Sequence, residues 1–563
     1  MENIPANFRP DLSNEEFVSG FTDPADERIE VGVLFVGAGP ASLAGAIRLA
    51  QLMAEQPQLQ EKLGEIPIAI VEKGKYPGAH LLSGAVINPV ALRKLFPNLP
   101  ESEWPVYGPV PGERVYFMTE KSAFPMPTPP TMKNEGNYVA SLSRVGKWLA
   151  EKAEELGVML LNETTAYRLI VENGAVRGIR TGDKGLDRDG KPMPNYEPGV
   201  DIQAQVVVLG EGTQGHLSQA LVDHFSLQRE NPQIYSLGVK EVWQVPKPLK
   251  QVIHTMGWPL RLGKQYREFG GSFIYPMGED KVTVGFVVGL DYADASLSVH
   301  DLLQLFKTHP LVREILDGGQ RLEQGWGAKT IPEGGFYSLP RPLHVPGALL
   351  IGDSAGFVNV PALKGVHYAM WSGILAAEAI ADVLAAGKDP AQENALAPYD
   401  QAVRNSFIWS DLYRVRNMRQ AFQKGFFVGS FLAGLMTLSG GAFPGGRWPI
   451  HADADTPMFF GNRQYPKPDN QYIFDKLSSV YASGNRSRDN QPDHLRIRHE
   501  VPEVIGETWI NMCPAQVYEW KQEGGKKYIL TNPTNCVQCG AITAKGGRLT
   551  PPEGGSGPEY TET

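Results

Sequence analysis

Several features are scarce in this chain, and each scarcity excludes a class of protein. Cysteine occurs only 3 times in 563 residues, which excludes a disulfide framework and fits a reducing compartment. Basic residues number 53 against 62 acidic residues, for a net charge of −9. No basic stripe is present, so nucleic-acid binding is not expected. No run of ~20 apolar residues is found, so no membrane-spanning helix is expected.

The N-terminal region lacks targeting features. Residues 1–29 are acidic and rich in proline and asparagine. They have neither the basic start and apolar centre of a signal peptide nor the Arg/Ser-rich composition of a transit peptide. We expect an extended N-terminal extension here. The whole chain has a globular composition, with 42% hydrophobic and 20% charged residues, and the length of two or three domains.

A dinucleotide-binding signature follows this extension. Residues 33–36 form an apolar run typical of a buried parallel strand. Gly37 permits a tight turn, Gly39 lets a pyrophosphate approach the backbone, and Ser42 replaces the third glycine of the fingerprint. A helix from Pro40 would direct its N–H groups at the phosphate. Taken alone, the pattern is equally compatible with a simple tight turn.

A second strand favours the nucleotide interpretation. The mostly apolar residues 66–71 end at Glu72, where a carboxylate can bond a ribose hydroxyl. The spacing between the two strands is longer than usual, so we expect one long helix that continues through residues 52–63. Together the two elements predict nucleotide binding.

A third element indicates which nucleotide. Residues 348–351 form an apolar strand that ends in Gly352-Asp353. In the glutathione-reductase-type FAD fold, the aspartate of such a turn bonds the ribityl hydroxyls, and the next helix points at the isoalloxazine. Residues 352–356 also match the G-x-S-x-G elbow of hydrolases, which requires a helix immediately after the turn. Pro361 disfavours that helix, so we expect FAD.

Other stretches predict the surrounding elements. Ser143 is the expected N-cap of a helix. Residues 184–200 are charged and rich in Pro and Gly, as in a loop, and residues 234–290 alternate like antiparallel strands. Beyond Pro466 the chain becomes polar and holds all the cysteines, which indicates a small C-terminal module. The predicted fold class is α/β, or α+β overall.

Seven unusual stretches carry a resemblance to a known family. They are residues 78–84, 269–275, 285–292, 352–361, 465–469, 513–515 and 552–555. Through them the chain resembles electron-transfer-flavoprotein:quinone oxidoreductase along nearly its whole length. The resemblance implies a monomeric flavoenzyme on a membrane surface. It would take electrons from reduced electron transfer flavoprotein and reduce a membrane quinone, either ubiquinone or menaquinone.

The resemblance also implies three parts after the extension at residues 1–29. A Rossmann-like, glutathione-reductase-type FAD domain would comprise residues 30–95, 135–233 and 330–400. An antiparallel-sheet domain that binds quinone and associates with the membrane would comprise residues 96–134, 234–329 and 401–464. A small ferredoxin-like iron–sulfur domain would comprise residues 465–563.

Ligand contacts are implied in the same way. Gly270 and Gly271 match a glycine pair that lines the quinone pocket, where a flat ring can lie against the backbone. Without the resemblance they could form a β-bulge or a hairpin turn. No catalytic acid or base is implied, because the protein only has to hold and tune its cofactors. The implied FAD contacts are Gly37, Ala38, Gly39, Pro40, Ala41, Ser42, Glu72, Lys73, Gly78, His80, Leu82, Ser83, Arg144, Gly210, Glu211, Gly212, Gly352, Asp353, Val360 and Gly365.

The cysteines depart from the family pattern. The family holds a [4Fe–4S] cluster with a distant cysteine followed by C-x-x-C-x-x-C, one thiolate per iron. Here Cys513, Cys536 and Cys539 match, but Ile542 stands where the fourth cysteine should be. The site could hold a [4Fe–4S] cluster with water or Thr543 as the fourth ligand, a [3Fe–4S] cluster, or no cluster. A zinc site is disfavoured, because no histidine is nearby in the sequence.

The most apolar run predicts membrane contact. Residues 425–438 are too short to span a bilayer but suit an interfacial helix, and Arg414, Arg416, Arg419 and Lys424 could meet anionic headgroups. A buried core helix is the alternative, and residues 81–96 are a second candidate for membrane contact. We therefore expect a peripheral protein on the cytoplasmic face of a bacterial inner membrane.

Two other functions remain compatible with the sequence. One is a flavin hydroxylase or geranylgeranyl-reductase-like enzyme that uses NAD(P)H or another donor on the same FAD fold. The other is a non-catalytic electron-relay or docking subunit with a degenerate cluster. A cysteine-bearing C-terminal module is not expected of a hydroxylase, so quinone reduction is favoured.

Overall fold

A computed structural model describes residues 3–563; residues 1 and 2 of the expected N-terminal extension lie outside this range. Its α-helices are α1 (Pro40–Glu55), α2 (Pro57–Leu63), α3 (Val90–Leu95), α4 (Leu142–Glu155), α5 (His216–His224), α6 (Val299–Phe306), α7 (Pro310–Leu316), α8 (Gly352–Ala355), α9 (Val366–Ala385), α10 (Ala397–Asn405), α11 (Phe407–Arg414), α12 (Met418–Ala421), α13 (Phe426–Leu438), α14 (Lys476–Tyr481), α15 (Glu503–Met512) and α16 (Ala541–Ala544). Its β-strands are β1 (Val18–Ser19), β2 (Ile29–Val36), β3 (Ile68–Val71), β4 (Val86–Ile87), β5 (Val106–Pro109), β6 (Glu113–Met118), β7 (Ala123–Met126), β8 (Tyr138–Ala140), β9 (Met159–Leu161), β10 (Ala166–Glu172), β11 (Ala175–Thr181), β12 (Lys184–Leu186), β13 (Pro192–Glu197), β14 (Asp201–Leu209), β15 (Tyr235–Gln244), β16 (Val252–Gly257), β17 (Gly270–Pro276), β18 (Lys281–Gly289), β19 (Gln320–Pro332), β20 (His344–Val345), β21 (Ala348–Leu350), β22 (Leu495–Arg496), β23 (Tyr518–Glu523), β24 (Lys526–Thr531) and β25 (Arg548–Leu549).

The first large sheet is mixed and has nine strands. Its order is β1-β10-β11-β14-β2-β3-β9, with β21 beside β14 and β20 beside β21. Strands β14, β2, β3, β9 and β21 run parallel to one another where they pair. Leu209 of β14 pairs with Val36 of β2 and with Leu350 of β21, so these three strands end at the same level. Ligands of such sheets bind outside the carboxyl ends of the strands.

The backbones of helices α1 and α9 pack directly against each other beside this sheet. A Cβ at Gly373 of α9 would lie 1.9 Å from the carbonyl oxygen of Ala41, and a Cβ at Gly45 would lie 2.9 Å from the carbonyl oxygen of Gly373. The two glycines therefore fix the start of α1. Contrary to expectation, α9 is long and apolar enough to cross a membrane, but most of it is buried inside the protein.

The second large sheet has seven strands in the order β19-β15-β18-β17-β16-β6-β7. Its pairs are antiparallel, as predicted, except that β16 runs parallel to β6. One hydrophobic core joins this sheet to the C-terminal region. Trp326 of β19, Phe286 of β18 and Trp509 of α15 are all buried in it. The cysteine-bearing segment therefore packs directly onto the second sheet.

Three local predictions are wrong. The helix after β2 is not continuous: α1 ends at Glu55 and α2 begins at Pro57, because proline has no N–H for the helical ladder and is tolerated only in a first turn. Ser141 rather than Ser143 caps α4, by accepting the N–H of Arg144. Residues 184–200 contain the hairpin β12–β13, since an exposed hairpin needs no apolar alternation.

A buried ion pair lies beneath the second sheet. Lys307 Nζ lies 2.6 Å from Glu241 Oε2, and both side chains are fully buried. Gln304 and Trp243 donate further hydrogen bonds to the same carboxylate. Burial opposes ionisation, but the charges of Lys307 and Arg321 outweigh it and lower the pKa of Glu241 to about 2. The carboxylate therefore stays charged in the core.

Removing one partner of this pair should destabilise the protein strongly. We expect Lys307→Met to cost about 3–5 kcal/mol, because it leaves the buried Glu241 carboxylate with only Arg321, at 3.6 Å, as a counter-charge. The measurement is thermal or urea denaturation of the flavin-loaded protein. Lys191→Met, which removes an ion pair whose two side chains are 74% and 75% exposed, is the matched control and should change the free energy of unfolding by less than about 0.5 kcal/mol. The double variant E241Q/K307M removes both charges of the pair and should recover part of the lost stability. Equal losses of stability in Lys307→Met and Lys191→Met would contradict the prediction.

Candidate functional site

One large cavity, of about 920 Å³, lies at the carboxyl ends of β2, β14 and β21. Ligand sites usually measure ~300–1,000 Å³, so this cavity can hold a large cofactor. It continues past β17 of the second sheet to α13. We call it the central cavity, and it reaches both sheets.

The glycine turn after β2 forms one wall of the central cavity. Gly37 has a φ of +89°, and a Cβ there would lie 2.9 Å from the carbonyl oxygen of Gly210. Glycine is therefore required on both counts. Helix α1 follows, and no side chain caps its first N–H groups. Unsatisfied N–H groups at a helix N-terminus suit a phosphate, and Gly37, Gly39, Pro40 and Ala41 all line the cavity here.

Glu72 lies beside this turn and also lines the cavity. Its Oε2 accepts the N–H of Ala38 at 2.8 Å, and its Oε1 accepts the N–H of Gly74 at 2.6 Å. The carboxylate therefore holds the turn in place. Each carboxylate oxygen can accept a second hydrogen bond, so the expected bond to a ribose hydroxyl remains available.

Gly352 and Asp353 form another wall, at the end of β21. Burial raises the pKa of Asp353 to about 6, although the charge of Lys329 opposes this. A buried carboxyl group without a close cation suits neutral hydroxyl partners such as those of a ribityl chain. Helix α9 begins after Gly365 with no side-chain cap, so its first N–H groups are also available to a ligand.

Most other predicted FAD contacts line the same cavity: Lys73, His80, Leu82, Ser83, Gly210, Glu211, Gly212, Val360 and Gly365. Glu211 has a structural role as well. Its carboxylate accepts the N–H groups of Leu217 and Ser218 at the start of α5, which stabilises that helix N-terminus.

Four predicted contacts are not brought to the cavity wall. The N–H of Ala38 is bonded to Glu72. Ser42 is fully buried and its hydroxyl has no hydrogen-bond partner. A Cβ at Gly78 would clash with the backbone of α4 at 2.4 Å, so this glycine serves packing. Arg144 is exposed and lies over the ring of Tyr107, 5.3 Å from its centroid. Even so, the glycine turn, the two uncapped helix starts and Asp353 fit FAD.

The predicted quinone glycines begin strand β17 and line the central cavity. A Cβ at Gly270 would lie 2.0 Å from the carbonyl oxygen of Val287, and a Cβ at Gly271 would lie 2.3 Å from that of Thr255. The sheet therefore requires glycine at both positions whether or not a ring binds there. Sequence reasoning offered the ligand, a β-bulge or a hairpin turn as the cause.

Sequence reasoning missed several ionisable side chains that also line the cavity, among them Lys240, His254, Tyr275 and Lys364. Burial lowers the pKa of Lys240 to about 7, that of Lys364 to about 8 and that of His254 to about 3. Tyr275 Oη lies 3.4 Å from His254 Nε2. Lys240 is a charged residue within a strand that is buried along most of its length. His254 and Tyr275 come together through the pairing of β16 with β17, and Lys364 comes from the segment before α9.

The three cysteines lie beside the second sheet. Burial, and then the neighbouring thiols, raise the pKa of Cys536 and of Cys539. The N–H of Val517 donates to Cys513 Sγ at 3.5 Å, and the N–H of Gln538 donates to Cys536 Sγ at 3.4 Å. N–H groups turned toward thiols suit a negatively charged cluster, so the three residues fit an iron–sulfur centre.

A single metal ion does not suit the site. Within residues 3–563, no group of three or more His, Cys, Asp or Glu side chains could hold a metal ion. The thiolates of an iron–sulfur cluster each bind a different iron, so they lie farther apart than the ligands of one ion. Ile542, in place of the fourth cysteine, is buried in α16.

An apolar surface lies at the α13 end of the central cavity. Phe427 and Phe431 are each 68% exposed, and Leu438 is 86% exposed. Phe124, on the hairpin β6–β7, is 54% exposed, and the hairpin meets α13 where the rings of Phe117 and Phe426 approach to 6.0 Å. The predicted apolar helix is therefore formed, and it is not a core helix.

Two other expected membrane contacts are wrong. Arg416 and Arg419 are buried. Arg419 bonds the carboxylates of Asp291 and Glu333, each at 2.7 Å, so it cannot meet headgroups. Within residues 81–96 only Arg93 and Lys94 are exposed, because the apolar side chains of β4 and α3 pack into the protein core. The other two cations ahead of α13 remain exposed.

Two family models match the chain. Residues 235–331 match the model described as ETF-QO, ubiquinone-binding. Residues 470–561 match the model described as electron transfer flavoprotein-ubiquinone oxidoreductase, 4Fe-4S. These segments contain the glycine pair and all three cysteines.

Among solved structures, the fold is similar to that of a geranylgeranyl bacteriochlorophyll reductase-like protein from Thermoplasma acidophilum. The TM-score is 0.56 at 18% identity, over 74% of this chain and 96% of that one. This likeness supports the predicted α/β fold class and carries nothing about the reaction.

Curated relatives match nearly the full length of the chain. Electron transfer flavoprotein-ubiquinone oxidoreductase of Pseudomonas aeruginosa is 39% identical over 95% of this chain and 99% of its own length. The mitochondrial proteins of the same name from Oryza sativa and Sus scrofa are 39% and 38% identical, over 95% and 94% of this chain and 93% and 89% of their own lengths. The resemblance drawn from the sequence is thereby confirmed: the chain belongs to the electron transfer flavoprotein-ubiquinone oxidoreductase family.

Proposed function

We propose that the protein is an FAD-dependent oxidoreductase that accepts electrons from reduced electron transfer flavoprotein and reduces a membrane quinone. One observation carries this proposal: a single cavity joins the phosphate-binding turn at Gly37 to the glycine pair on β17 and to the apolar helix α13. A cofactor at one end and a lipid-soluble ring at the other would thus share one water-poor space. The protein is proposed to act as a monomer.

Some residues of the cavity would hold FAD, and others would admit the quinone. Bound FAD supplies the exchange between single-electron and two-electron carriers, and a bound iron–sulfur cluster supplies single-electron transfer. The turn at Gly37 and the start of α1 hold the pyrophosphate, and Asp353 orients the ribityl chain. Gly270 and Gly271 leave the β17 backbone accessible to a quinone ring.

The cysteine loop is attached directly to the cavity wall. Thr330 of β19 donates both its N–H and its hydroxyl to the carbonyl oxygen of Cys539, each at 2.9 Å. Lys329 Nζ donates to the carbonyl oxygen of Gln538 at 3.1 Å. Lys329, Thr330 and Gln538 all line the central cavity, so these bonds fix the distance between the two redox sites.

Turnover should require the protein donor. We expect the purified protein to carry FAD and to reduce a short-chain quinone rapidly when reduced electron transfer flavoprotein is supplied. The measurement is the absorbance change of the quinone, with NADPH alone as the control donor. Equal rates with NADPH would favour a hydroxylase or reductase instead, and bound FAD without quinone turnover from any donor would favour a docking subunit.

The apolar surface around α13 is proposed to enter the interface of a membrane, on the cytoplasmic face of a bacterial inner membrane. Its exposed aromatic side chains are large, and the central cavity opens beside them through Ser430 and Gly434 of α13. Quinone dissolved in the hydrocarbon layer could thus enter without crossing water. Arg414 and Lys424 remain exposed beside it and suit anionic headgroups.

Charges placed on this surface should release the protein from lipid. Burying two phenylalanines in a membrane contributes roughly 3–6 kcal/mol, so F427E/F431E should weaken binding to anionic vesicles at least roughly tenfold. Flotation of the FAD-loaded protein measures this. Tyr481→Glu is the matched control, because Tyr481 is 85% exposed in α14, outside the surface. A double variant that floats like the control would rule out this mode of binding.

A route for protons also leads into the cavity. A reduced quinone must take up two protons on its oxygens, and His254, Tyr275 and Lys364 line the cavity near the glycine pair. Burial lowers the pKa of Lys364 to about 8, against the opposing charge of Glu113. Burial, and after it the charge of Lys364, lower the pKa of His254 and that of His367 to about 3. Lys364 is the proposed proton store, and neutral His254 is proposed to pass the proton on.

This route predicts a pH dependence of a definite sign. Because the pKa of Lys364 is lowered from 10.5 to about 8, its proton is present below that pH and lost above it. Quinone reduction should therefore slow above about pH 8, and Lys364→Met should lower kcat roughly 100-fold, typical of a lost proton donor, with little change in KM. Lys364→Arg keeps the charge without yielding the proton. Full activity of that variant would show that the lysine acts by charge alone.

A further inference from the structure

The cysteine content of the chain restricts the cluster it can hold. The protein has 3 cysteines in all, so the four thiolate ligands of an ordinary [4Fe–4S] centre cannot come from one chain. All of them lie together in the C-terminal region, beside the second sheet. The fourth corner of the cluster is the iron position that has no cysteine ligand here. The group that occupies this fourth corner therefore decides the type of cluster.

The three thiols retain the surroundings of a working site. Main-chain N–H groups of Val517 and Gln538 point at Cys513 Sγ and Cys536 Sγ. Gln538 is held at a φ of +52°, a left-handed conformation that costs energy for a residue with a Cβ and is common where a loop wraps a ligand. The carbonyl oxygen of Gln538 also accepts a hydrogen bond from Lys329 Nζ at 3.1 Å, so the loop that carries Cys536 and Cys539 is held in one conformation.

The fourth corner is apolar. Ile542 is only 4% exposed, and its Cγ1 lies 2.6 Å from where a Cβ on Gly547 would stand, next to Ile497 at 3.0 Å. A branched alkyl side chain offers iron no ligand atom, and it supplies none of the polar partners that a bound water needs.

Side chains of the C-terminal region could compete for the fourth ligand position. Thr543 Oγ1 already accepts the N–H of Leu549 at 2.9 Å. The two carboxylate oxygens of Asp493 accept the N–H of Leu495 at 2.8 Å and the hydroxyl of Thr531 at 2.7 Å. Two buried groups lack hydrogen-bond partners: Oε1 of Gln538 and both ring nitrogens of His494. They are the competing fourth ligands.

We propose that the site holds a [3Fe–4S] cluster on Cys513, Cys536 and Cys539, with Ile542 covering the corner that lacks iron. The proposal deepens the proposed function, since this cluster would still exchange one electron at a time. It also differs from the 4Fe-4S description of the family model that residues 470–561 match.

The test is spectroscopic and uses the full-length FAD-loaded protein, purified without oxygen. We expect fewer irons than acid-labile sulfides per chain, and in the oxidised protein the nearly isotropic paramagnetic resonance signal of a three-iron cluster. Ile542→Cys should replace that signal with a diamagnetic oxidised state that becomes paramagnetic on reduction, as in a four-iron cluster. Ile542→Val, which keeps an apolar corner, is the matched control and should leave the three-iron signal unchanged.

The remaining outcomes overturn the proposal. The spectrum of a four-iron cluster in the unaltered protein would do so. If that spectrum showed nitrogen hyperfine coupling and disappeared in His494→Ala, the fourth ligand would be the histidine. An absence of iron and sulfide would leave three buried thiols instead. Quinone turnover from electron transfer flavoprotein is measured on the same sample, so a missing cluster with intact turnover refutes the cluster proposal without touching the proposed function. FAD absorbance confirms that each variant is folded.

Discussion

The parallel pairing of β2, β14 and β21 is the constraint on which the rest of the structure depends. Leu209 stands in register with both Val36 and Leu350, so the turns that follow these strands meet at one edge. The glycine turn at Gly37 and the carboxyl group of Asp353 belong to this edge. If β21 slipped by one residue, its side chains would change faces, and Asp353 would leave the cavity.

The features that could be predicted from the sequence are those with a local residue pattern. The turn at Gly37, Glu72 and Gly352-Asp353 were found because each combines a buried strand with a residue type that the turn requires. Arg419 was misplaced as a surface cation, because its partners Asp291 and Glu333 lie 128 and 86 residues away along the chain. Such pairing leaves no mark in a local pattern.

Parts of the cavity wall also depend on contacts between residues distant in sequence. His254 and Tyr275 come together only because β16 and β17 are neighbours in the second sheet. Gly270 and Gly271 were found for one reason, and the structure adds another: neighbouring strands leave no room for a Cβ. A glycine demanded by its sheet can also expose backbone to a ligand, so the two causes do not compete.

The strand β21 also constrains the order in which the living cell can assemble this protein. The glycine turn at Gly37 leaves the ribosome early, but Ala348–Leu350 must be synthesised before β14 gains its second parallel neighbour. Contacts this distant in sequence form slowly. Until then the first sheet exposes an unpaired strand end, a surface that invites aggregation or degradation. A ligand that binds at the turns after these strands would stabilise the completed sheet.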